Sequence, residues 1–187
     1  MINTMQAIER WKHDNGLTVS LYPDEDCESP RKNENLGTMV CWHSRYSLGD
    51  KHPFDSPDVF RVWMHSYPKA VVLPLYLYDH SGITMKTTPF NCSWDSGQVG
   101  YIYCLPSAIR KEYSTQRITK TIRADVERVL LSEVSEYDTY IRGECYGYVI
   151  ADANGEEIDS CWGFIGFDYA KEAANEAAKC STIVEQP

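Results

Sequence analysis

Leu-Pro-Leu-Tyr-Leu-Tyr-Asp-His-Ser-Gly at 73–82 and Trp-Asp-Ser-Gly-Gln-Val-Gly-Tyr-Ile-Tyr-Cys-Leu at 94–105 form two apolar, aromatic-rich runs, each interrupted by Asp and Gly. This pattern is typical of two neighbouring strands that need a core on at least one face. Pro74 cannot donate a backbone hydrogen bond, so it predicts an edge position or a bulge in the first strand. The segment 73–105 is therefore predicted to be the centre of a sheet.

Length and composition are those of an ordinary soluble globular protein. The chain has 187 residues, of which 43% are hydrophobic and 24% charged. A chain of this length buries roughly 70% of the surface that its unfolded form exposes, so it needs no metal or disulfide to fold. The sequence contains no apolar run near the length of a membrane span, and residues 1–10 lack the apolar segment of a secretory signal. These features predict a cytoplasmic protein.

Before the central runs, the pattern predicts short elements. Met5, Ile8 and Trp11 are near helical spacing, which predicts a short helix over 1–13. Residues 17–22 alternate between apolar and polar and predict a strand, and residues 37–43 predict a buried strand. Ser56-Pro57-Asp58 predicts the start of a helix that ends before Pro68, with Val59, Val62 and Trp63 facing inward.

After Thr119 the periodicity changes to that of a long amphipathic helix. Its apolar stripe consists of Ile122, Val126, Val129, Leu130, Val134, Tyr137 and Ile141. Residues 142–151 and 157–164 then predict a hairpin joined at Asn154-Gly155, a pair that suits a turn with positive φ. An Ala-rich helix is predicted over 169–179.

Together these elements predict an α+β fold, an antiparallel sheet with helices packed mainly on one face. Residues 1–119 are predicted to be the N-terminal part of a single α+β domain. Residues 120–187 form an acidic helix–hairpin–helix part, which either completes the sheet or is a subdomain.

Candidate catalytic residues are few. Asp79 and His80 are adjacent, so they share one ligand only if the strand ends at them, as Ser81-Gly82 indicates. With His43 they are a candidate site for a small metal-dependent hydrolase, while the competing interpretation is that His80 is a strand-end residue bonded to a backbone carbonyl. The sequence contains no P-loop, dinucleotide fingerprint or Gly-x-Ser-x-Gly elbow, and it predicts no cofactor.

The cysteines and one acidic loop are further candidates. Seven cysteines with no Cys-x-x-Cys pair predict reduced, structural thiols. Cys41 and His43 share a strand face, but no group that would activate the thiol is evident nearby, so a buried cysteine is favoured. Residues 24–28, Asp-Glu-Asp-Cys-Glu, lack the spacing of a calcium loop and are interpreted as a solvated loop.

Charge is the clearest functional signal. Residues 1–124 carry 13 acids and 14 bases, whereas residues 125–187 carry 14 acids and 4 bases, so the last third holds the excess negative charge. Only residues 110–123 form a small basic patch, which disfavours direct nucleic-acid binding. A carboxylate surface can instead occupy a basic groove on a protein, or it can simply aid solubility. The candidate partner-binding residues are Glu133, Glu136, Asp138, Glu144, Asp152, Glu156, Glu157 and Asp159.

Several motifs resemble those of a family of uncharacterised proteins from bacteriophages and mobile elements. They are Leu-Gly-Thr-Met-Val-Cys-Trp-His at 36–43, Tyr-Ser-Leu-Gly-Asp at 46–50, Leu-Tyr-Asp-His-Ser-Gly at 77–82, Trp-Asp-Ser-Gly-Gln-Val-Gly at 94–100, Tyr-Gly-Tyr at 146–148 and Cys-Trp-Gly-Phe at 161–164. The resemblance implies no activity and no site residues. It implies a biological setting, because small accessory proteins of mobile elements often counter host defence.

Two hypotheses follow for the function. The first is a non-enzymatic accessory protein that binds a basic, nucleic-acid-binding surface of a host protein. Binding would inhibit a host defence system, as anti-CRISPR or anti-restriction proteins do. The second is the hydrolase that uses His43, Asp79 and His80. Neither requires direct nucleic-acid or membrane binding.

Overall fold

A computed structural model describes residues 6–181. The strands are β1 Glu9–Lys12, β2 Thr18–Pro23, β3 Thr38–Cys41, β4 Val71–Asp79, β5 Ile83–Lys86, β6 Ser96–Cys104, β7 Cys145–Ala151 and β8 Glu157–Ile165. The helices are α1 Pro57–Met64, α2 Pro106–Glu112, α3 Lys120–Ile141 and α4 Phe167–Cys180, and one 3₁₀ turn covers Pro30–Lys32. The α+β class is confirmed, with two antiparallel sheets in place of one.

The chain divides into two compact units. One is called the acidic unit because its net charge is −11, and it consists of Met1–Ser29 and Gly143–Pro187. The other, the central unit, is Pro30–Arg142. The predicted division at residues 119/120 differs from this one. The reason is that α3 packs on the sheet of the central unit, while β2 pairs with β7 across the chain, Thr18 opposite Ala151 and Tyr22 opposite Gly147.

The central unit has the strand order β3-β6-β4-β5, and both central runs lie in it as predicted. One face of the sheet packs against α3, whose Val126, Leu130, Val134 and Tyr137 are buried as the periodicity predicted. Val129 is exposed, so its place in the stripe was wrong. Pro74 lies in the part of β4 that β5 does not reach, and the β4–β6 register shifts just after it, between Leu75 and Tyr76.

The opposite face of this sheet packs against α1. Ser56 caps that helix by accepting a hydrogen bond from the Val59 backbone at 3.3 Å, as predicted. Phe60 is its buried residue, in contact with the cluster of Val40 and Tyr103. The prediction that Val59 and Val62 face inward was wrong, because the helix turns the side of Phe60 and Trp63 toward the sheet.

The acidic unit has the strand order β1-β2-β7-β8, with α4 on one face. Ala170, Ala174 and Ala178, spaced by four, form a buried stripe that packs with Leu17, Val19, Leu21, Tyr148 and Ile150. The predicted hairpin and C-terminal helix are both present. The predicted helix over 1–13 was wrong in the described residues, because Glu9–Lys12 is a strand paired to β2. Trp11 of this strand donates its indole N–H to Asn175 Oδ1 at 3.0 Å on α4.

Candidate functional site

Folding separates the charges more completely than the linear sequence does. The acidic unit contains 15 carboxylate side chains and 4 Lys or Arg, a net charge of −11. The central unit contains 12 and 14, a net charge of +2. The loop 24–28, interpreted from sequence as merely solvated, belongs to the acidic unit because β2 pairs with β7. Sequence reasoning missed this contribution because strand pairing across the chain leaves no local signal.

Glu133 does not lie on an exposed acidic surface, so its prediction as an exposed partner-binding residue is corrected. Its side chain is 10% exposed, and it binds Arg31 Nη1 at 2.9 Å. One of its oxygens also accepts the Leu36 and Gly37 backbone N–H groups at 2.8 and 3.1 Å. Glu133 therefore attaches α3 to the chain segment before β3.

Arg31 completes a buried ion-pair network in the central unit. Its Nε and Nη2 atoms donate to the two oxygens of Asp50 at 2.9 and 2.7 Å, and Nη2 also donates to the Gly37 carbonyl at 2.7 Å. The arginine side chain is 5% exposed. Burial alone would lower the pKa of Arg31, but the hydrogen bonds to Asp50 and Glu133 outweigh burial and raise it. The charges of Arg31, Asp50 and Glu133 therefore interact with one another inside the central unit.

Asp138 also bonds within its own unit, so the prediction that it is an exposed acid is corrected as well. Its Oδ1 atom accepts the Thr84 hydroxyl at 2.7 Å and the Met85 backbone N–H at 2.6 Å. Its Oδ2 atom lies 3.6 Å from Arg142 Nε. Glu136 is exposed, but it lies on α3 in the central unit, as Glu133 and Asp138 do.

The other five predicted residues lie in the acidic unit. Glu144 is half-buried just before β7, and its backbone carbonyl accepts the Gly166 N–H at 2.8 Å. Glu156 and Glu157 are exposed where β8 begins. Asp152 shapes the turn between β7 and β8, because its Oδ1 accepts the backbone N–H groups of Asn154 and Glu156 at 2.8 and 2.9 Å. These hydrogen bonds lower the pKa of Asp152, and the bond from Glu156 has the largest effect. The Asp152 carboxyl is therefore ionised at neutral pH.

Asp159 is half-buried on β8 and faces Tyr148. The Tyr148 hydroxyl donates to Asp159 Oδ2 at 3.2 Å. Burial, and then the charge of Asp159, raise the pKa of Tyr148 to about 12. The phenol therefore stays neutral and donates to the carboxylate over the physiological range.

Asp24 links the acidic loop to β8. Its Oδ2 atom accepts the Gly163 backbone N–H at 2.8 Å, and its Oδ1 atom accepts the Asp26 N–H at 3.1 Å. The loop therefore presents a fixed carboxylate beside the middle of β8, while Glu156 and Glu157 lie at its start.

The alternative site, His43, Asp79 and His80, is not assembled. Asp79 forms an ion pair with Arg45 and accepts the Tyr46 hydroxyl at 3.2 Å. His80 Nδ1 lies 3.4 Å from Asp95 Oδ2. Within residues 6–181, no three His, Cys, Asp or Glu side chains form a group that could hold a metal ion. The described residues thus show no metal-binding group at these three positions, and the hydrolase hypothesis stays a prediction.

His43 lines the same cleft as Asp79, and its own contacts are with neighbouring residues of its loop. Its ring stacks on Tyr46 with centroids 5.0 Å apart, and its Nδ1 atom lies 3.3 Å from the backbone nitrogens of Arg45 and Tyr46. The surrounding cleft, of about 490 Å³, is lined by residues 42–45, Leu77, Asp79 and residues 94–99. It contains charges that are paired with one another, together with Trp94, whose side chain is 94% exposed.

Cys41, the candidate nucleophile among the thiols, is held in its protonated form. All seven cysteines, which fall within the described residues, are free thiols. Burial, and then the nearby Asp50, raise the pKa of Cys41 to about 12, so it is protonated at neutral pH. A protonated thiol is a poor nucleophile, although Cys41 is half-buried and not fully buried as its interpretation from sequence had it.

Comparisons of the chain with models of protein families, with curated proteins and with solved structures found no match. The resemblance to phage and mobile-element proteins therefore stays a prediction. None of the helices in residues 6–181 is both long enough and apolar enough to cross a membrane.

Proposed function

We propose that the protein is a non-enzymatic binding protein that engages a basic surface of another protein through its acidic unit. The observation that carries this proposal is the separation of charge, −11 in one unit against +2 in the other. A strong field from one unit accelerates association with a partner of opposite charge.

The partner class follows from the charge. Protein surfaces that bind nucleic acid are strongly basic because they contact phosphates, so they are natural targets for a carboxylate surface. The phage resemblance adds a more specific proposal, in which the partner is a host defence complex directed at nucleic acid and binding inhibits it. In this mechanism the acidic unit competes with nucleic acid for the same basic groove.

The proposed surface differs in membership from the one expected from sequence. Glu133 and Asp138 are excluded because they bond to their own unit, and Glu136 is excluded because it lies in the central unit. The surface retains the five predicted acids of the acidic unit and gains the loop 24–28. Of the five retained acids, Glu156 and Glu157 are the exposed ones.

The test is charge reversal with a matched control. The double variant Glu156→Lys/Glu157→Lys changes the charge of the acidic unit, and the double variant Glu127→Lys/Glu136→Lys makes the same change at exposed positions of α3 in the central unit. Tagged proteins are used to capture partners from a nuclease-treated bacterial host lysate, and each captured protein is identified and its Kd measured against salt.

We expect the wild type and the α3 variant to capture the same basic protein, with affinity that falls as salt rises. We expect the Glu156/Glu157 variant to lose it, and DNA to displace it from the wild type. Equal loss in both variants would show that only net charge matters, and equal retention would show that the partner binds elsewhere. Either result would overturn the proposal.

A further inference from the structure

The face of the acidic unit's sheet opposite α4 carries an aromatic row, which consists of Tyr22 and Trp162. Side chains of a strand alternate between the two faces, so Leu21 and Tyr148 face α4 while Tyr22 and Gly147 face the other way. Trp162 of β8 lies over Gly147, and its ring centroid is 6.1 Å from that of Tyr22 at an interplanar angle of 35°.

Trp162 is held in place although it is partly exposed. A Cβ at position 147 would lie 2.2 Å from Trp162 Cε3 and 2.4 Å from Cδ2, so the indole rests directly on the glycine backbone. The residue is nevertheless 46% exposed. Since one ring face is occupied by Gly147, the exposed area belongs mainly to the other face and the ring edge. A large aromatic surface fixed before binding loses little conformational entropy when a partner contacts it.

The surroundings of this ring are negatively charged. Asp24 accepts the backbone N–H of Gly163, the residue after Trp162, and a second bond from Asp26 fixes the carboxylate. The unit as a whole carries −11. A second copy that presents this same face is an unsuitable occupant, because two surfaces of the same sign repel each other.

We propose that the open face of Trp162 binds an arginine side chain of the basic partner, with Tyr22 beside it and Asp24 as a counter-charge. This inference rests on the proposed function, whose partner it specifies. Arginine fits better than lysine, because its guanidinium is planar, is more weakly hydrated and stacks on aromatic rings, and cation–π attraction is strongest over Trp. The acidic carboxylates supply long-range attraction, whereas the aromatic row selects the residue type.

The experiment uses the full chain and two labelled peptides of equal length and charge, one rich in arginine and one rich in lysine. Fluorescence anisotropy measures the Kd of each peptide at low and high salt. We expect the wild type to bind both in a salt-sensitive manner and to prefer the arginine peptide about two- to five-fold. Trp162→Ala should lose the preference and keep the salt-sensitive binding, and Trp162→Phe should keep part of it.

Trp94→Ala is the matched control, because Trp94 is the highly exposed tryptophan of the central unit. It should retain the full preference. A readout that needs no variant is the indole N–H NMR spectrum, in which the signal of Trp162 among the five tryptophans should shift with the arginine peptide and much less with the lysine peptide.

The outcomes separate the two proposals. Failure of the wild type to bind either peptide at low salt would contradict the proposed function. Salt-sensitive binding of both peptides with no arginine preference, or with a preference that Trp162→Ala retains, would overturn the inference about Trp162 and leave the proposed function standing.

Discussion

The two units of this protein use carboxylates in opposite ways. In the central unit, Asp50 and Glu133 turn inward and bind Arg31, whose side chain is 5% exposed. In the acidic unit, Glu156 and Glu157 lie exposed at the start of an edge strand. The same residue types therefore specify internal structure in one unit and an outward electric field in the other, and only the three-dimensional neighbours distinguish these roles.

The cores differ in the same sense. α3 has 22 residues and packs against its sheet with valine, leucine and tyrosine side chains. α4 has 14 residues, and its buried positions are alanines, which allow close approach but bury little area each. The acidic unit therefore depends more on strand pairing and on the aromatic contacts of its sheet.

Removal of Arg31 is expected to have the largest effect. Arg31→Ala leaves Asp50 and Glu133 partly buried without their cation, which costs about 3–5 kcal/mol of unfolding free energy. Chemical denaturation followed by circular dichroism measures the loss. Arg45→Ala is the control, since the Arg45 side chain is 64% exposed and its ion pair with Asp79 contributes about 0–1 kcal/mol. Equal losses in the two variants would contradict a structural role for the buried network.

A methyl group at Gly147 tests the acidic unit in the same assay. Gly147→Ala places a Cβ inside the space of the Trp162 ring, so the ring must move, and overpacking of this kind costs about 1–3 kcal/mol. Gly97→Ala is a suitable control, because no atom lies within 4 Å of its added Cβ. If Gly147→Ala were as stable as the control, the close packing of the indole on the backbone would be wrong.

Alkaline pH gives the smallest expected effect. Burial, and then the neighbouring Cys27, raise the pKa of Cys145 from 9.0 to about 12. Below pH 9 the thiol is protonated in both folded and unfolded protein. Between these two pKa values only the unfolded chain releases the proton, so the unfolding free energy falls, by about 1 kcal/mol from pH 9 to about pH 10.

The measurement is the urea midpoint as a function of pH. Cys145→Ala should show a shallower alkaline loss than the wild type, whereas Cys161→Ala, at an exposed position, should follow the wild type. An unchanged slope in Cys145→Ala would show that other groups cause the alkaline loss.

Local patterns predicted local structure well. The period of Val126, Leu130 and Val134 identified α3, and Asn154-Gly155 identified the β7–β8 hairpin. Failures occurred where a distant segment decides the outcome. Glu9–Lys12 is a strand because β2 offers an edge on which it pairs, and β2 in turn needs β7, more than 120 residues away. Such long-range pairing overrides weak helical spacing.

The candidate site was predicted in outline but not in membership. Net charge is additive along the chain, so the acidic C-terminal part was evident from sequence. Whether Glu133 faces solvent or Arg31 depends on a contact 102 residues away, which periodicity does not encode. Trp162 was recognised only as a strand residue, because its role depends on the missing side chain of Gly147 opposite it.

The acidic unit is built from two separate segments of the chain, 1–29 and 143–187, and this has a consequence for biosynthesis. Thr18 pairs with Ala151, so the β1–β2 hairpin leaves the ribosome long before its third strand exists. At ordinary rates of translation the delay is on the order of 7 to 27 seconds, and an isolated two-stranded hairpin is marginal in water. The central unit, encoded without interruption, has time to fold in this interval, and the nascent amino-terminal segment must wait for the last quarter of the polypeptide before its negative field is assembled.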